Sequence, residues 1–292
     1  MTPAPSFKAE QMENVSSILR SRSLPDREFE KISEMVYAIC RINLHVGKKE
    51  LVQARLNKRL RMLNIDSYKD YLKYIEKDET GVELSTMVDI LTTNLTYFFR
   101  EKDHFNYLLE QGKVKLVDEK RKRFRIWSAG CASGEEAYSI AITLDDAIKG
   151  SGCPDFRILA TDISSQTLET AKEGLFPKQR MKETPEMVLK KYFAKETAQD
   201  GTVFYRVSAE LKRKIAFRRL NLMDPWPMTG PFDAVFCRNV MIYFDKKTQA
   251  ELVTRFYNIL APGGVFFVGH SESLTGISHG FKFVRPSIYV KD

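Results

Sequence analysis

The second half of the chain alternates short apolar runs with longer amphipathic stretches, and no other feature restricts the possible folds as strongly. Predicted strands lie over residues 124–128, 157–161, 215–219, 232–237 and 265–268. Between them, apolar residues recur at helical spacing over 135–149, 164–173 and 246–260. Strands that alternate with helices predict βαβ units, and therefore an α/β fold with a doubly wound, mostly parallel sheet.

Two further segments complete this half of the chain. The tail, 281–290, offers one more strand after a short polar link, and we expect it to be antiparallel because a parallel partner needs a long crossover. Residues 177–214 interrupt the alternation, and the Asp200–Gly201 pair beside the alternating run 202–207 is typical of a hairpin. This segment indicates a small hairpin inserted into the doubly wound core. An ordinary extended crossover is the alternative.

The first part of the chain is predicted to be helical. Up to residue 88 glycine occurs only at Gly47 and Gly81. Asp26 is a suitable N-cap for a helix over 27–40, and a second helix is predicted over 49–63. The expected organisation is a small all-α domain over 1–88, followed by an α/β domain over 89–292 that carries the insert.

Basic residues are concentrated on the second predicted helix. Residues 41–61 contain seven basic side chains and a single acidic one. On a helical wheel an apolar stripe lies opposite the basic side chains, and it is formed by Val52, Leu56, Leu60 and Leu63. The basic face is either an ordinary solvated face or a docking face for an acidic helix or nucleic acid. The residues that we expect to face outward and dock a substrate are Arg55, Lys58 and Arg59.

The turn after the first predicted strand carries the most chemistry. Gly130 and Gly134 flank a tight turn that opens a helix, so a ligand can approach bare backbone near the positive end of the helix dipole. The spacing is not that of a dinucleotide-binding loop. Asp162 ends the next strand, where a carboxylate can accept hydrogen bonds from ribose hydroxyls. This combination favours a nucleoside cofactor without a pyrophosphate, and S-adenosylmethionine (SAM) fits that description.

Polar side chains follow the next two strands as well. Asn221 follows 215–219, and Asn239 follows 232–237. Because the ligand crevice of an open α/β sheet lies at the carboxyl ends of its strands, these residues should converge with the glycine turn and Asp162. Any one of them could instead be a turn or cap residue. In particular, Ser133 and Glu136 have the spacing of a capping box, which would be purely structural.

Several longer strings resemble one family, the bacterial chemotaxis receptor methyltransferases (CheR). They are LTTNLTYFFRE at 91–101, IWSAGCASGEEAYSIA at 126–141, TDIS at 161–164, FDAVFCRNVMIYFDK at 232–246 and GGVFFVGHSESL at 263–274. The resemblance covers about residues 25–290. It implies a SAM-dependent transferase that methylates glutamate side chains on chemoreceptor signalling helices and releases S-adenosylhomocysteine. It also implies a Rossmann-like SAM-methyltransferase sheet after a helical domain, and a β-subdomain that in some members grips a receptor's C-terminal tail.

The resemblance also implies roles for individual residues. Tyr243 matches the tyrosine near the transferring methyl group, and Arg100 suits the cofactor carboxylate; both are predicted to be catalytic. With Gly130 from the glycine turn, the predicted cofactor-binding set is Asn94, Thr96, Arg100, Gly130, Glu136, Asp162, Asn221, Leu222, Asn239 and Val240. The four histidines share no metal-binding spacing, so no metal site is expected.

Composition limits where in the cell we expect the protein to act and which other functions remain possible. Four scattered cysteines fit a reducing cytoplasm. The amino-terminal string MTPAPSFKAEQMENV has no apolar segment typical of a secretory signal, and no apolar run is long enough for a membrane span. The net charge of +8 allows nucleic acid as a substrate. However, residues 238–241 lack the prolines of amino-group methyltransferases that act on nucleic acids, so no nucleic-acid partner is expected. The alternatives are a methyltransferase with another substrate and a non-catalytic SAM- or receptor-binding module.

Overall fold

The computed structural model describes residues 23–119, 122–149 and 155–292. The first 22 residues of the predicted helical domain and Cys153 lie outside the described residues. The chain divides into two compact units, Met1–Ala38 with Leu44–Leu91 and Ile39–Asn43 with Thr92–Asp292. Within the described ranges, no helix has the length and apolar character needed to cross a membrane.

The first unit is built from helices, as predicted. Its helices are α1 (Asp26–Cys40), α2 (Lys49–Met62), α3 (Tyr68–Lys77) and α4 (Val82–Leu91). Apolar residues three and four apart along each helix form one face, and these faces pack together. The buried residues of this unit include Phe29, Ile32, Val36, Val52, Leu56, Leu60, Tyr71 and Met87. The predicted stripe on α2 is therefore confirmed except at Leu63, which follows the helix and is half-buried.

The outward orientation predicted for the basic residues of α2 is wrong for two of the three. Arg59 donates from Nε to Oε1 of the buried Glu83 at 3.0 Å and pairs with the second oxygen through Nη2. Arg55 donates from Nη1 to the carbonyl of Leu91 at 2.8 Å. Only Lys58 is exposed. A helical wheel gives the direction of Cβ, whereas a long arginine side chain can reach around the helix to α4.

Reversing the charge of Arg59 should therefore destabilise the helical unit. Arg59→Glu places a second carboxylate against Glu83, and breaking a buried ion pair in this way costs about 3 kcal/mol. Lys58→Glu is the matched control and should change the free energy of unfolding by no more than about 0.5 kcal/mol. Denaturant unfolding followed by circular dichroism compares the two variants. Equal stability would show that the Arg59–Glu83 pair contributes nothing.

The second unit has the predicted α/β architecture. Its seven-stranded sheet has the order β6-β2-β1-β7-β8-β10-β9. The strands are β1 (Arg123–Ala129), β2 (Asp155–Asp162), β6 (Ile215–Arg219), β7 (Phe232–Cys237), β8 (Leu260–Val268), β9 (Phe281–Arg285) and β10 (Ile288–Lys291). The first five are parallel, and β10 is antiparallel to both β8 and β9. The tail thus forms two strands where one was predicted, because Ser287 turns the chain at a φ of 60°.

Helices cover the sheet on both faces. Successive residues of a strand point to opposite faces, so Ile126 packs in one apolar cluster with Tyr138, and Trp127 packs in another with Phe256. The helices are α5 (Lys102–Gly112), which continues as a π-helix over Lys113–Asp118, α6 (Glu135–Ala147), α7 (Ser165–Glu173) and α10 (Lys246–Ile259). Burial on both faces explains why the strands read as nearly continuous apolar runs.

The insert is a small antiparallel sheet of order β3-β5-β4. Its strands are β3 (Leu175–Pro177), β4 (Phe193–Thr197) and β5 (Val203–Val207), with the short helices α8 (Glu186–Tyr192) and α9 (Ala209–Lys212) on either side of the hairpin. Gly201 has a φ of 83° in the hairpin turn, as the Asp-Gly pair predicted. The β-subdomain is confirmed, and the alternative of an extended crossover is wrong.

Candidate cofactor site and its buried ion network

The glycine turn and Asp162 lie side by side at the carboxyl ends of β1 and β2. The backbone N–H groups of Gly130 and Cys131 donate to the carbonyl of Thr161 at 2.8 and 2.9 Å. The carboxylate of Asp162 accepts from the N–H of Ala132 at 2.8 Å and from the N–H of Ser164 at 2.9 Å. Asp162 therefore ties the turn to the end of β2.

The glycine turn also packs closely against the loop after β7. Gly130 has a φ of 85°, and a Cβ there would lie 2.4 Å from Cγ2 of Val240. Only glycine combines that backbone conformation with so close an approach. The structure thus brings Gly130, Asp162 and Val240 of the predicted set together.

Glu136 does not take part in a capping box. Helix α6 begins at Glu135, its N-cap is Gly134, and the hydroxyl of Ser133 instead lies 2.7 Å from a carboxylate oxygen of Glu135. The carboxylate of Glu136 accepts from the hydroxyl of Ser128 at 2.7 Å. Burial raises the pKa of Glu136. The capping alternative for this residue is wrong, since its carboxylate binds the Ser128 hydroxyl and the Arg238 guanidinium instead.

Arg238 joins these elements, and the sequence interpretation missed it. Its guanidinium is buried and donates to Oε2 of Glu136 at 3.1 Å and to Oε2 of Glu101 at 2.9 Å. It also donates to the carbonyl of Arg100. One guanidinium thus binds two carboxylates in this buried group. An arginine directly after a buried apolar strand was the available signal, because such a residue needs carboxylate partners.

The segment over 94–101 is anchored at its aromatic residues. The buried Phe98 packs edge-on against Phe176 at 5.0 Å between ring centroids, and the N–H of Phe99 donates to the hydroxyl of Ser139 at 3.0 Å. Asn94, Thr96 and Arg100 are half-buried. The side chain of Arg100 donates from Nη1 to the carbonyl of Leu95 at 3.0 Å, so it folds back on its own segment.

Asn221 and Leu222 lie beside Asp162, because the N–H of the preceding Leu220 donates to the carbonyl of Asp162 at 2.9 Å. The side-chain amide of Asn221 accepts from the N–H of Met223 at 3.1 Å and donates to the carbonyl of Ile39 at 2.8 Å. It therefore also stabilises a turn.

Tyr243 ends a short 3₁₀-helix over Met241–Tyr243 and is half-buried.

One group of side chains has metal-ligand chemistry although the sequence predicted no metal site. In the part of the chain that the structure describes, ligating atoms of Glu101, His104 and His270 lie within 4.8 Å of one another. Arg238 already donates to Oε2 of Glu101, so a metal cation there would be repelled by a buried guanidinium. We therefore assign no metal to this group.

His104 should make stability depend on pH. It is fully buried, and desolvation lowers its pKa to about 3. The unfolded imidazole binds a proton near pH 6.5 and the folded one does not, so the free energy of unfolding falls as pH drops from about 6.5 towards 3. His104→Phe should flatten that slope by up to about 1.4 kcal/mol per pH unit.

The free energy of unfolding is measured with denaturant between pH 7 and pH 4. This range runs from just above the pKa of the unfolded imidazole towards the pKa of the folded one. Tryptophan fluorescence reports this unit, because both tryptophans, Trp127 and Trp226, belong to it. His45 is exposed, so His45→Phe should keep the wild-type slope. A wild-type slope in His104→Phe would mean that burial does not keep this imidazole neutral.

The residues at the strand ends fit SAM. Asp162 can accept from a ribose, and the carboxylates of Glu101 and Glu136 around Arg238 complement a cationic amino group and sulfonium. The fold and the site together define a methyltransferase that uses S-adenosylmethionine.

Comparisons with known proteins identify the family. Residues 94–290 match the CheR methyltransferase SAM-binding domain, and residues 27–92 match the CheR methyltransferase all-alpha domain. Chemotaxis protein methyltransferase 2 of Pseudomonas aeruginosa is 40% identical over 263 residues, 90% of this chain and 92% of the relative. The chemotaxis protein methyltransferase of Escherichia coli is 37% identical over 269 residues, 91% of each chain. The chain belongs to the CheR methyltransferase family, and its activity is SAM-dependent methylation in chemotaxis.

Proposed function

We propose that this methyltransferase esterifies glutamate side chains on the cytoplasmic helices of chemoreceptors, giving methyl esters that serve sensory adaptation, and that it acts in the cytoplasm. The match of both domains to relatives named chemotaxis protein methyltransferases carries this proposal. The cofactor-binding roles assigned above to the residues at the strand ends belong to the same proposal, as does a receptor tail bound by the β-subdomain.

The proposed chemistry needs alignment more than acid–base catalysis. When bound, SAM supplies an electrophilic methyl group on a cationic sulfur. A glutamate carboxylate has an ordinary pKa of about 4.3, so it is already an ionised nucleophile at neutral pH. The chain must orient that carboxylate and exclude water from it. We assign the orienting role to Tyr243 and to Arg100, the latter at the cofactor carboxylate or the substrate acid.

Isotope transfer tests this proposal. The full chain is incubated with SAM labelled in the methyl group and a purified receptor cytoplasmic fragment. Base-labile label on receptor glutamates would support the proposal. Label on added RNA or DNA would support the nucleic-acid alternative, and SAM binding without transfer to any of these would support a non-catalytic module.

Receptor docking through α2 has its own test, centred on the exposed Lys58. Exposed ion pairs are individually weak, at about 0.2–1 kcal/mol, and salt screens them. If Lys58 meets an acidic receptor helix, Lys58→Glu should raise KM for the receptor several-fold at low salt and flatten its salt dependence. SAM affinity should not change. Initial methylation rates are measured across a salt series for the wild type and Lys58→Glu. Parallel curves for these two proteins would contradict docking at Lys58.

A further inference from the structure

Glu272 is a buried carboxylate in the turn that follows β8. Its Oε2 accepts from the N–H of Gly269 at 2.6 Å and from the N–H of Asn239 at 2.8 Å, while its Oε1 accepts from the N–H of Ile242 at 3.2 Å. None of the ion pairs found among the described residues includes it. Backbone N–H groups of two loops therefore satisfy this carboxylate, one loop after β7 and one after β8.

The loop after β7 makes a tight turn. Asn239 has a φ of 59°, in the left-handed region that asparagine adopts more readily than most residues other than glycine. The two loops also approach closely, since a Cβ on Gly269 would lie 2.5 Å from Nδ2 of Asn239 and 2.9 Å from Oε2 of Glu272. Contacts on both sides of the turn fix it in this one conformation. The bonds to Glu272 are such contacts.

The same loop is confined from its other side. Val240 packs against the bare backbone of Gly130, where a Cβ would lie 2.4 Å from Cγ2 of the valine. Residues 239–242 thus lie between the glycine turn and Glu272. Tyr243 follows Ile242 directly, in the 3₁₀-helix that this loop forms.

We infer that Glu272 is a positioning residue for methyl transfer, because its carboxylate fixes the backbone of residues 239–242 and thereby the orientation of Tyr243. This inference rests on the proposed function, in which Tyr243 orients the reacting groups. Burial raises the pKa of Glu272, and the backbone N–H groups that its oxygens accept from act in the opposite direction. A side chain with a merely structural role would affect stability without a specific effect on turnover.

Glu272→Gln tests the inference with an isosteric change. Glutamine keeps one acceptor oxygen, but its NH₂ group cannot accept from the backbone donors. We expect kcat to fall about tenfold, with smaller changes in KM for SAM and receptor, because misalignment acts mainly on the transition state. Glu251→Gln, the same change at an exposed position of α10, should keep the wild-type kcat. An unchanged kcat in Glu272→Gln would overturn the inference.

A double-mutant cycle with Tyr243→Ala tests whether Glu272 acts through that residue. If it does, Glu272→Gln should lower kcat about tenfold in the wild-type background and by less than about twofold once Tyr243 is absent. Multiplicative effects on kcat would overturn the inference. Glu272→Asp keeps the carboxylate on a shorter side chain, so its kcat should lie between those of Glu272→Gln and the wild type. If Glu272→Gln does not fold, Glu272→Asp takes its place in the cycle.

Hydrogen exchange separates this inference from the proposed function. In the free protein, amides of residues 238–243 should exchange faster in Glu272→Gln than in the wild type, with no change in β1 or β2. Unchanged exchange would overturn the inference whatever the substrate is. If wild-type protein fails to methylate the receptor fragment, only the proposed function is contradicted, and the exchange result still decides whether Glu272 holds the loop.

Discussion

Arg238→Gln should lower the free energy of unfolding of the α/β unit by about 3–5 kcal/mol, the range for breaking a buried ion pair on one side. Glu101 and Glu136 would remain buried close together without their shared cation. The variant would also lose the donor to the carbonyl of Arg100, which ties the end of the segment over 94–101 to the residue after β7. SAM affinity should therefore fall along with stability.

Tryptophan fluorescence during denaturant unfolding measures this effect, and calorimetry measures SAM binding to the folded variant. Arg285→Gln is the control, because Arg285 pairs with Glu110 at 3.1 Å while both side chains are about half exposed. Its effect should stay below about 1 kcal/mol. If the two variants were equally stable, the buried network would not be a stabilising element of this unit.

Asp162→Asn should weaken SAM binding by about 10- to 100-fold. A charge-assisted hydrogen bond is worth about 1.5–3 kcal/mol, and an amide replaces one carboxylate oxygen with a donor that cannot serve a ribose hydroxyl in the same way. Asparagine is preferable to alanine here, because its one oxygen can still accept from the N–H group of Ala132 or of Ser164, although its NH₂ group cannot. Removal of the whole side chain would disturb the glycine turn as well as the cofactor contact.

Asp155→Asn provides the matched control. Asp155 begins the strand that Asp162 ends, so the same chemical change is made at the opposite edge of the sheet. Its SAM affinity should equal that of the wild type. Calorimetry that finds wild-type affinity in a folded Asp162→Asn protein would remove Asp162 from the cofactor site.

The sequence predicted the elements of the fold well because their signals are local. Strands β6 and β7 begin and end at the predicted residues, 215–219 and 232–237. The error in the tail also has a local cause: the interpretation of 281–290 as one strand ignored Pro286, next to the turn at Ser287. A proline cannot donate to a sheet ladder and should have divided the run.

Errors among the side chains arose where a contact is distant in sequence. Arg238 bonds with residues 137 and 102 positions away, so its own neighbours in the chain do not reveal its partners. Arg59 was placed on a free face because its partner Glu83 belongs to another helix. The spacing of Ser133 and Glu136 suggested a cap, but a buried cation and the Ser128 hydroxyl bind Glu136 instead.

Longer motif strings in the sequence carried the family resemblance and the β-subdomain that it implies. By itself, the sequence determined the helical and α/β units, the inserted hairpin and the expectation that the glycine turn, Asp162, Asn221 and Asn239 lie at one edge of the sheet. Those features follow from apolar periodicity, turn chemistry and the rule that parallel strands end at one edge. Only the tertiary structure decided the pairing of Arg238 with Glu101 and Glu136, the inward reach of Arg59 and the attachment of Glu272 to the loop before Tyr243. A buried charge takes whichever partners the packed chain brings within hydrogen-bond distance, and that selection is made in space rather than along the sequence.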